Sequence, residues 1–184
     1  MVTLHREAIE TAAAEAHLSP DLVEAICLVE SAGDPWAWNP EPHYRWLWDV
    51  RRKRPFRRVT PNEARAKYPP ADFQTLAGDR DQEWWGQQAS WGILQIMGAV
   101  ARELGWRGPY LPAICDVATN LELGCRKFAA LLRWAQGDVA QALAGYNAGQ
   151  GNYRSAAGQA YAAKVLARLP RVERARASGG RTHD

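Results

Sequence analysis

Glu30 is the residue whose type and position could most directly do chemistry. It follows Ile26 by four positions and Val23 by seven, so helical geometry puts its carboxylate on an apolar stripe. A carboxyl group in apolar surroundings keeps its proton to higher pH, because burial disfavours the charged form. Such a group can protonate a leaving oxygen near neutral pH. The plainer reading is a helix-end glutamate, partly exposed and paired with an arginine. Two later blocks hold polar groups suited to a ligand, Ser90-Trp91-Gly92-Ile93-Leu94-Gln95-Ile96-Met97 and Ala144-Gly145-Tyr146-Asn147-Ala148-Gly149. Gly92 leaves room for a ligand to approach the backbone. Gln95 and Asn147 offer both donors and acceptors. Tyr146 and Tyr161 combine an apolar face with a hydroxyl. The simpler reading of these blocks is a core helix and a helix-end turn.

The elements that must position these residues are mostly helical. Leu4, Ala8, Ile9 and Ala12 recur at helical spacing over 3–16. Ser19-Pro20 opens a second helix with a cap and a proline in its first turn, and Gly33-Asp34-Pro35 stops it. Residues 35–89 are rich in proline and poor in periodicity, and they read as loops with short helices at 61–67 and 71–77. Stretches this long inside a compact domain are usually binding or lid elements. Regular helices are expected at 90–104, closed by Gly105, and at 117–136, between Asp116 and Gly137. Two more are expected at 139–145, capped by Asp138, and at 156–169, ended by Pro170. No period-2 strand is evident, although a short β-ribbon fits within 44–60. The tail 171–184 is polar and expected to be frayed.

Composition narrows the function classes. The chain has 184 residues, 47% hydrophobic and 23% charged, which excludes a largely disordered protein. The charge balance, 23 − 20 = +3, is too small to argue a nucleic-acid partner. No apolar run is long enough for a membrane span. The opening MVTLHREAIETAAAEAH has no apolar core, so no standard signal peptide is expected. Three cysteines (Cys27, Cys115 and Cys125) suit reduced structural thiols. The four histidines (His5, His17, His43 and His183) lack metal-ligand spacing, and no metal or cofactor is expected. Asp79-x-Asp81-x-Glu83 fails as a calcium loop, with Trp84 where glycine is needed. No Gly-x-Ser-x-Gly or phosphate-binding loop appears. Nine tryptophans against three phenylalanines signal either an unusual core or a ligand-stacking surface. Six of them, Trp36, Trp38, Trp46, Trp48, Trp84 and Trp85, fall in or beside 40–89. There they could extend a binding cleft or build a satellite core. The basic run Arg51–Arg58 reads first as a solvated face, with attraction to an anionic envelope or nucleic acid as the alternative.

Taken in order, Glu30-Ser31, the Gly92–Met97 run and Gly145-Tyr146-Asn147-Ala148-Gly149 resemble the soluble lytic transglycosylase catalytic domain, the goose-lysozyme-like branch of the lysozyme superfamily. The resemblance covers about 19–34, 89–106 and 117–169. It implies a mostly α, lysozyme-like single domain over 1–170, carrying a long irregular insertion at about 40–89. It makes Glu30 the catalytic acid/base and Ser31 its orienting neighbour. Gly92, Gln95 and Met97 would line the glycan cleft. Tyr146 and Asn147 would contact substrate and carboxylate, and Tyr161 matches the family's late tyrosine helix. The chain departs from the pattern at Gly98, in place of proline, and at Gly145, in place of alanine. No acidic residue stands just before Tyr161, and Glu30 lies 92 − 30 = 62 residues ahead of Gly92, a far longer link than usual.

The partner implied is the peptidoglycan glycan strand, and a monomer is expected. The implied reaction cleaves the MurNAc-β-1,4-GlcNAc bond with the substrate's own C6 hydroxyl as nucleophile, leaving 1,6-anhydroMurNAc. A hydrolytic muramidase would need a second carboxylate to activate water, with Asp34, Asp49, Asp79, Asp81 and Glu83 as candidates. A third reading is a non-catalytic glycan-binding or virion structural protein. Without an export signal, an enzyme of this kind is expected to reach the wall as a phage-type lysin, through a holin or as a virion component.

Overall fold

The computed structural model describes residues 5–42 and 44–179. His43 and His183 lie outside the described residues. In chain order the elements are helices α1 (Arg6–Glu15) and α2 (Pro20–Glu30), and strands β1 (Trp38–Pro40), β2 (Trp48–Asp49) and β3 (Arg54–Pro55). Helices α3 (Pro61–Ala64) and α4 (Arg80–Gln87), strands β4 (Ala89–Trp91) and β5 (Ile96–Met97), and helix α5 (Gly98–Glu103) follow. A 3-10 turn at Leu111–Cys115 then leads to α6 (Val117–Trp134), α7 (Val139–Ala148) and α8 (Ala156–Gly179). The fold is mostly helical with a small antiparallel sheet. It divides into two compact units, one of Met1–Gly33 with Gly124–Asp184 and the other Asp34–Leu123.

In the first unit local chemistry sets the helix ends. The Leu22 N–H donates to Ser19 Oγ at 3.4 Å, and Pro20 costs nothing in the first turn, where its missing N–H would be unpaired anyway. Asp138 likewise accepts from the Gln141 N–H, and Gly137 ends α6 with φ +90°. Ile9, Val23, Ile26, Leu143 and Val165 are buried, and α2 packs on α1 and α8. Arg6 reaches from α1 to Asp21 at 2.8 Å and Glu24 at 2.6 Å on α2. Helix α8 does not stop at Pro170 as the sequence suggests. It runs through that proline to Gly179, because the ring removes one backbone donor without forbidding a helix on both sides.

The second unit contains the long irregular segment. Its three-stranded sheet has the order β1-β4-β5, with Trp38 opposite Trp91 and Ser90 opposite Met97. The expected ribbon within 44–60 is present as β2–β3, with Trp48 opposite Pro55. Helix α3 is shorter than the expected 61–67 and is fixed by a capping box between Thr60 and Glu63. No helix forms at 71–77. Arginine side chains bond carbonyls along this stretch instead, Arg80 those of Pro70 and Phe73 and Arg51 those of Thr75 and Leu76. Helix α4, which the sequence reading missed, is opened by Asp79, whose carboxylate accepts from the Asp81 and Gln82 N–H groups.

The expected helix at 90–104 is another correction. Its first half is the β4–β5 hairpin, and only Gly98–Glu103 is helical. The chain reverses at Gly92 (φ +72°) and Gln95 (φ +47°), both left-handed and incompatible with a continuous helix. Buried Asn120 fixes that reversal by accepting from the Leu94 N–H and donating to the Trp91 and Ile114 carbonyls. A Cβ on Gly92 would lie 2.4 Å from Asn120 Nδ2.

The tryptophans in and beside the insertion divide between a satellite core and the surface. Leu47, Val59, Ala64, Phe73, Trp84 and Ala99 form a satellite core, with Phe73 edge-on to Trp84 at 5.0 Å. Trp36, Trp38 and Trp46 instead stay exposed. The basic run is exposed as expected. Arg57 within it is neutralised by Glu63 and Asp72, and its hydrogen bonds pull the Glu63 carboxyl down to about 2. The three cysteines are free and buried.

The Gly98 departure has a steric cause. A Cβ there would sit 2.1 Å from the Gly86 carbonyl oxygen, which is rigid backbone. Gly98→Ala is expected to cost about 2 kcal/mol by overpacking, read as a lower denaturant midpoint. A cost near zero would mean that α4 and α5 separate freely.

Candidate active site

Helix α2 ends at Glu30, so the carboxylate stands at the last helical position with Ser31 as the cap. The Tyr161 hydroxyl on α8 donates to Glu30 Oε1 at 2.5 Å. The Tyr161 ring stacks on that of Tyr146, with centroids 6.4 Å apart and planes 14° from parallel. Tyr146 is carried by α7, which continues to Ala148, past the predicted end at 145. Behind it, Lys127 Nζ lies 3.8 Å from the Tyr146 ring centre and donates to the Tyr146 carbonyl at 3.3 Å. Glu30, Tyr146 and Tyr161 therefore meet within the first unit.

The electrostatics follow from this packing. Burial raises the Glu30 pKa, while the Tyr161 hydrogen bond and the charges of Lys127 and Lys164 oppose the rise without cancelling it. Burial and the Glu30 charge raise both tyrosine hydroxyls, so Tyr161 keeps its proton and remains a donor. The group is thus a carboxyl that holds its proton unusually well, with one oriented donor on its anionic form. It can give a proton to a leaving oxygen and take one back. Tyr161→Phe removes a donor that favours the carboxylate, so the Glu30 pKa should move further up. We expect the alkaline limb of the kcat/KM profile to shift to higher pH with roughly a tenfold loss of rate. An unmoved limb would sever Tyr161 from Glu30.

Of the other expected site residues, Ser31 and Gln95 have structural partners. Ser31 Oγ donates to the Cys27 carbonyl at 3.2 Å and accepts from the Gly33 N–H, closing the turn after α2. Asn147 is exposed at the end of α7. In the second unit, Gly92, Gln95 and Met97 are brought together by the hairpin. Gln95 Oε1 accepts from Ser90 Oγ at 2.9 Å, and Nε2 donates to the Ala37 and Gly92 carbonyls. Gln95 thus holds the loop's shape with the side chain expected to meet a ligand. Met97 is half-buried at the end of β5.

Lys127 and Asn120 were missed from the sequence. Lys127 interrupts the four-residue series Leu123, Lys127, Leu131, whose leucines are buried; a cation there was the available signal. Asn120 carried no comparable signal, since its partners are backbone groups distant in sequence. Among the described residues no cluster of His, Cys, Asp and Glu could hold a metal ion, and no helix is long and apolar enough to cross a membrane.

A search of curated proteins finds no match to the chain. A family model, the transglycosylase SLT domain, matches residues 7–167. The match runs from α1 into α8 and includes Glu30, the Gly92–Met97 hairpin, Tyr146 and Tyr161. With most of its length covered, the chain belongs to the transglycosylase SLT domain family, the peptidoglycan-degrading lytic transglycosylases.

Proposed function

We propose that the protein cleaves the MurNAc-β-1,4-GlcNAc bond of peptidoglycan without water, leaving a 1,6-anhydroMurNAc end, with Glu30 as both acid and base. The observation that carries this reading is the Tyr161–Glu30 hydrogen bond at a carboxyl whose pKa burial has raised. Protonated Glu30 gives its proton to the glycosidic oxygen as the C1–O bond breaks. The C6 hydroxyl of the same MurNAc then bonds to C1, and Glu30, now a carboxylate, accepts the hydroxyl proton. The acid is regenerated and no second carboxylate is needed. Tyr161 steadies the carboxylate between the two proton transfers.

A muramidase would need a second carboxylate, and four of the five candidates have structural work. Asp34 accepts from the Trp36 N–H, and Asp49 accepts from the Arg51 and Arg52 N–H groups in the ribbon turn. Asp79 caps α4, and Glu83 is paired with Arg102. Digestion of purified Gram-negative sacculi, read by mass spectrometry, tests the proposal. Muropeptides lighter than the hydrolytic ones by one water are expected, including from Asp81→Asn. Free reducing ends would establish hydrolysis, and no products would leave a non-catalytic glycan-binding role.

A further inference from the structure

We propose that Trp36, Trp38 and Trp91 form a saccharide-stacking platform, an additional binding surface for the glycan strand, built by the long segment after α2. This rests on the peptidoglycan reading above. Trp36 is 75% exposed and Trp38 58% exposed, although each would bury much more apolar surface in an ordinary core. The same unit does bury Trp84 completely, so a core site for tryptophan exists nearby and these two are outside it.

The rings are presented on rigid backbone. Trp38 and Trp91 face each other across the β1–β4 pair, so their side chains leave the same face of the sheet. Their ring centres are 6.0 Å apart with planes tilted by 36°, which makes one broad aromatic surface. Trp91 Nε1 donates to the Gly86 carbonyl at 2.9 Å, fixing that ring by its edge. The Trp36 N–H donates to Asp34 Oδ1 at 2.8 Å, fixing the turn that carries the third ring.

The occupant is indicated by what the platform is tied to. Ala37, between Trp36 and Trp38, gives its carbonyl to the Gly92 N–H at 2.8 Å and to Gln95 Nε2 at 3.1 Å. The tryptophan segment and the family's hairpin are therefore one hydrogen-bonded piece, and Trp91 directly precedes Gly92. A pyranose offers an apolar C–H face that an aromatic ring can stack on, and the paired Trp38 and Trp91 rings present such a surface. Trp46 is just as exposed, at 64%, but lies outside the β1–β4 pair with Arg58 over its ring at 5.6 Å, which makes it a control.

The test uses the full chain carrying Glu30→Gln, so that binding is measured without turnover. Probes are insoluble Gram-negative sacculi in a pull-down and an N-acetylglucosamine hexamer in calorimetry. Trp36→Ala and Trp38→Ala are each expected to weaken binding about tenfold, the scale of one lost ring contact. Trp38→Phe should retain most affinity, and Trp46→Ala should match the parent. Circular dichroism and sedimentation of every variant report folding and mass. Parental affinity in both alanine variants would overturn the platform. Equal weakening by Trp46→Ala would do the same, as would a change of oligomeric mass in place of glycan affinity. Failure of the catalytic reading is seen separately, as sacculi digests by the Glu30 protein that lack anhydro ends while binding still depends on Trp36 and Trp38.

Discussion

Replacing Glu30 by glutamine is expected to lower turnover of sacculi by about 10³–10⁴-fold while leaving the protein more stable at neutral pH. The first effect follows from the two proton transfers assigned to one group, since an amide can neither give nor take the proton. The second follows from linkage. Burial raises the Glu30 pKa in the folded state, so folding favours the protonated form. That contribution is complete below the unfolded-state pKa and is lost as pH rises through the raised folded value. As pH rises toward neutral the wild type therefore bears the cost of either holding a proton that the unfolded chain would release or placing a charge in surroundings that disfavour it, and glutamine bears neither. Its Oε1 can still accept from Tyr161, so the contact in α8 survives. Denaturant midpoints of the two proteins should diverge as pH rises from acid to neutral, with the variant ahead. A parallel pair of curves would mean that burial does not set the behaviour of this carboxyl. Retained turnover would remove Glu30 from the mechanism.

How much of this was legible in the sequence depended on whether the controlling interaction was local. Ser19, Asp116 and Asp138 announced helix starts because a cap bonds to a backbone N–H within three residues. Glu30 was legible because its stripe lies on its own helix. The hairpin at 89–97 was not. Its strands are two or three residues long, too short to show alternation. Its apolar residues fit a helical stripe equally well, and what decides between them is Asn120, 26 positions beyond Leu94. The same distance hid Tyr161 as a partner of Glu30, 131 residues away; the family resemblance singled out the tyrosine but gave the carboxylate contact to Tyr146 and Asn147. Residues 71–77 failed in the opposite way, a locally plausible helix whose carbonyls are claimed by Arg51 and Arg80 from elsewhere.

Glu83 shows why a carboxylate beside a motif can be misread, and it sets up the largest stability effect in the second unit. Arg102→Met is expected to destabilise the protein by about 3–5 kcal/mol. Both side chains are almost wholly buried, at 1% and 2% exposure, and the guanidinium grips the carboxylate through two bonds, of 2.9 and 2.7 Å. The same arginine donates to the Trp106 and Gly108 carbonyls, so its loss also strips two backbone acceptors. Glu83 would be left buried without its guanidinium partner, keeping the Gln87 amide as a donor at 2.8 Å. Gln87 in turn bonds both the N–H and the carbonyl of Trp48, so the disturbance reaches the β2–β3 ribbon. Adding Glu83→Gln to Arg102→Met removes the stranded charge and should recover a large part of the loss, because most of the cost of breaking a buried pair is the unpaired partner. Denaturant midpoints of the wild type, the two single variants and the double variant give the coupling directly. A loss under 1 kcal/mol in Arg102→Met, or no recovery in the double variant, would mean that water reaches Glu83. The carboxylate would then be free to activate a water molecule, and the hydrolytic reading would regain its second group.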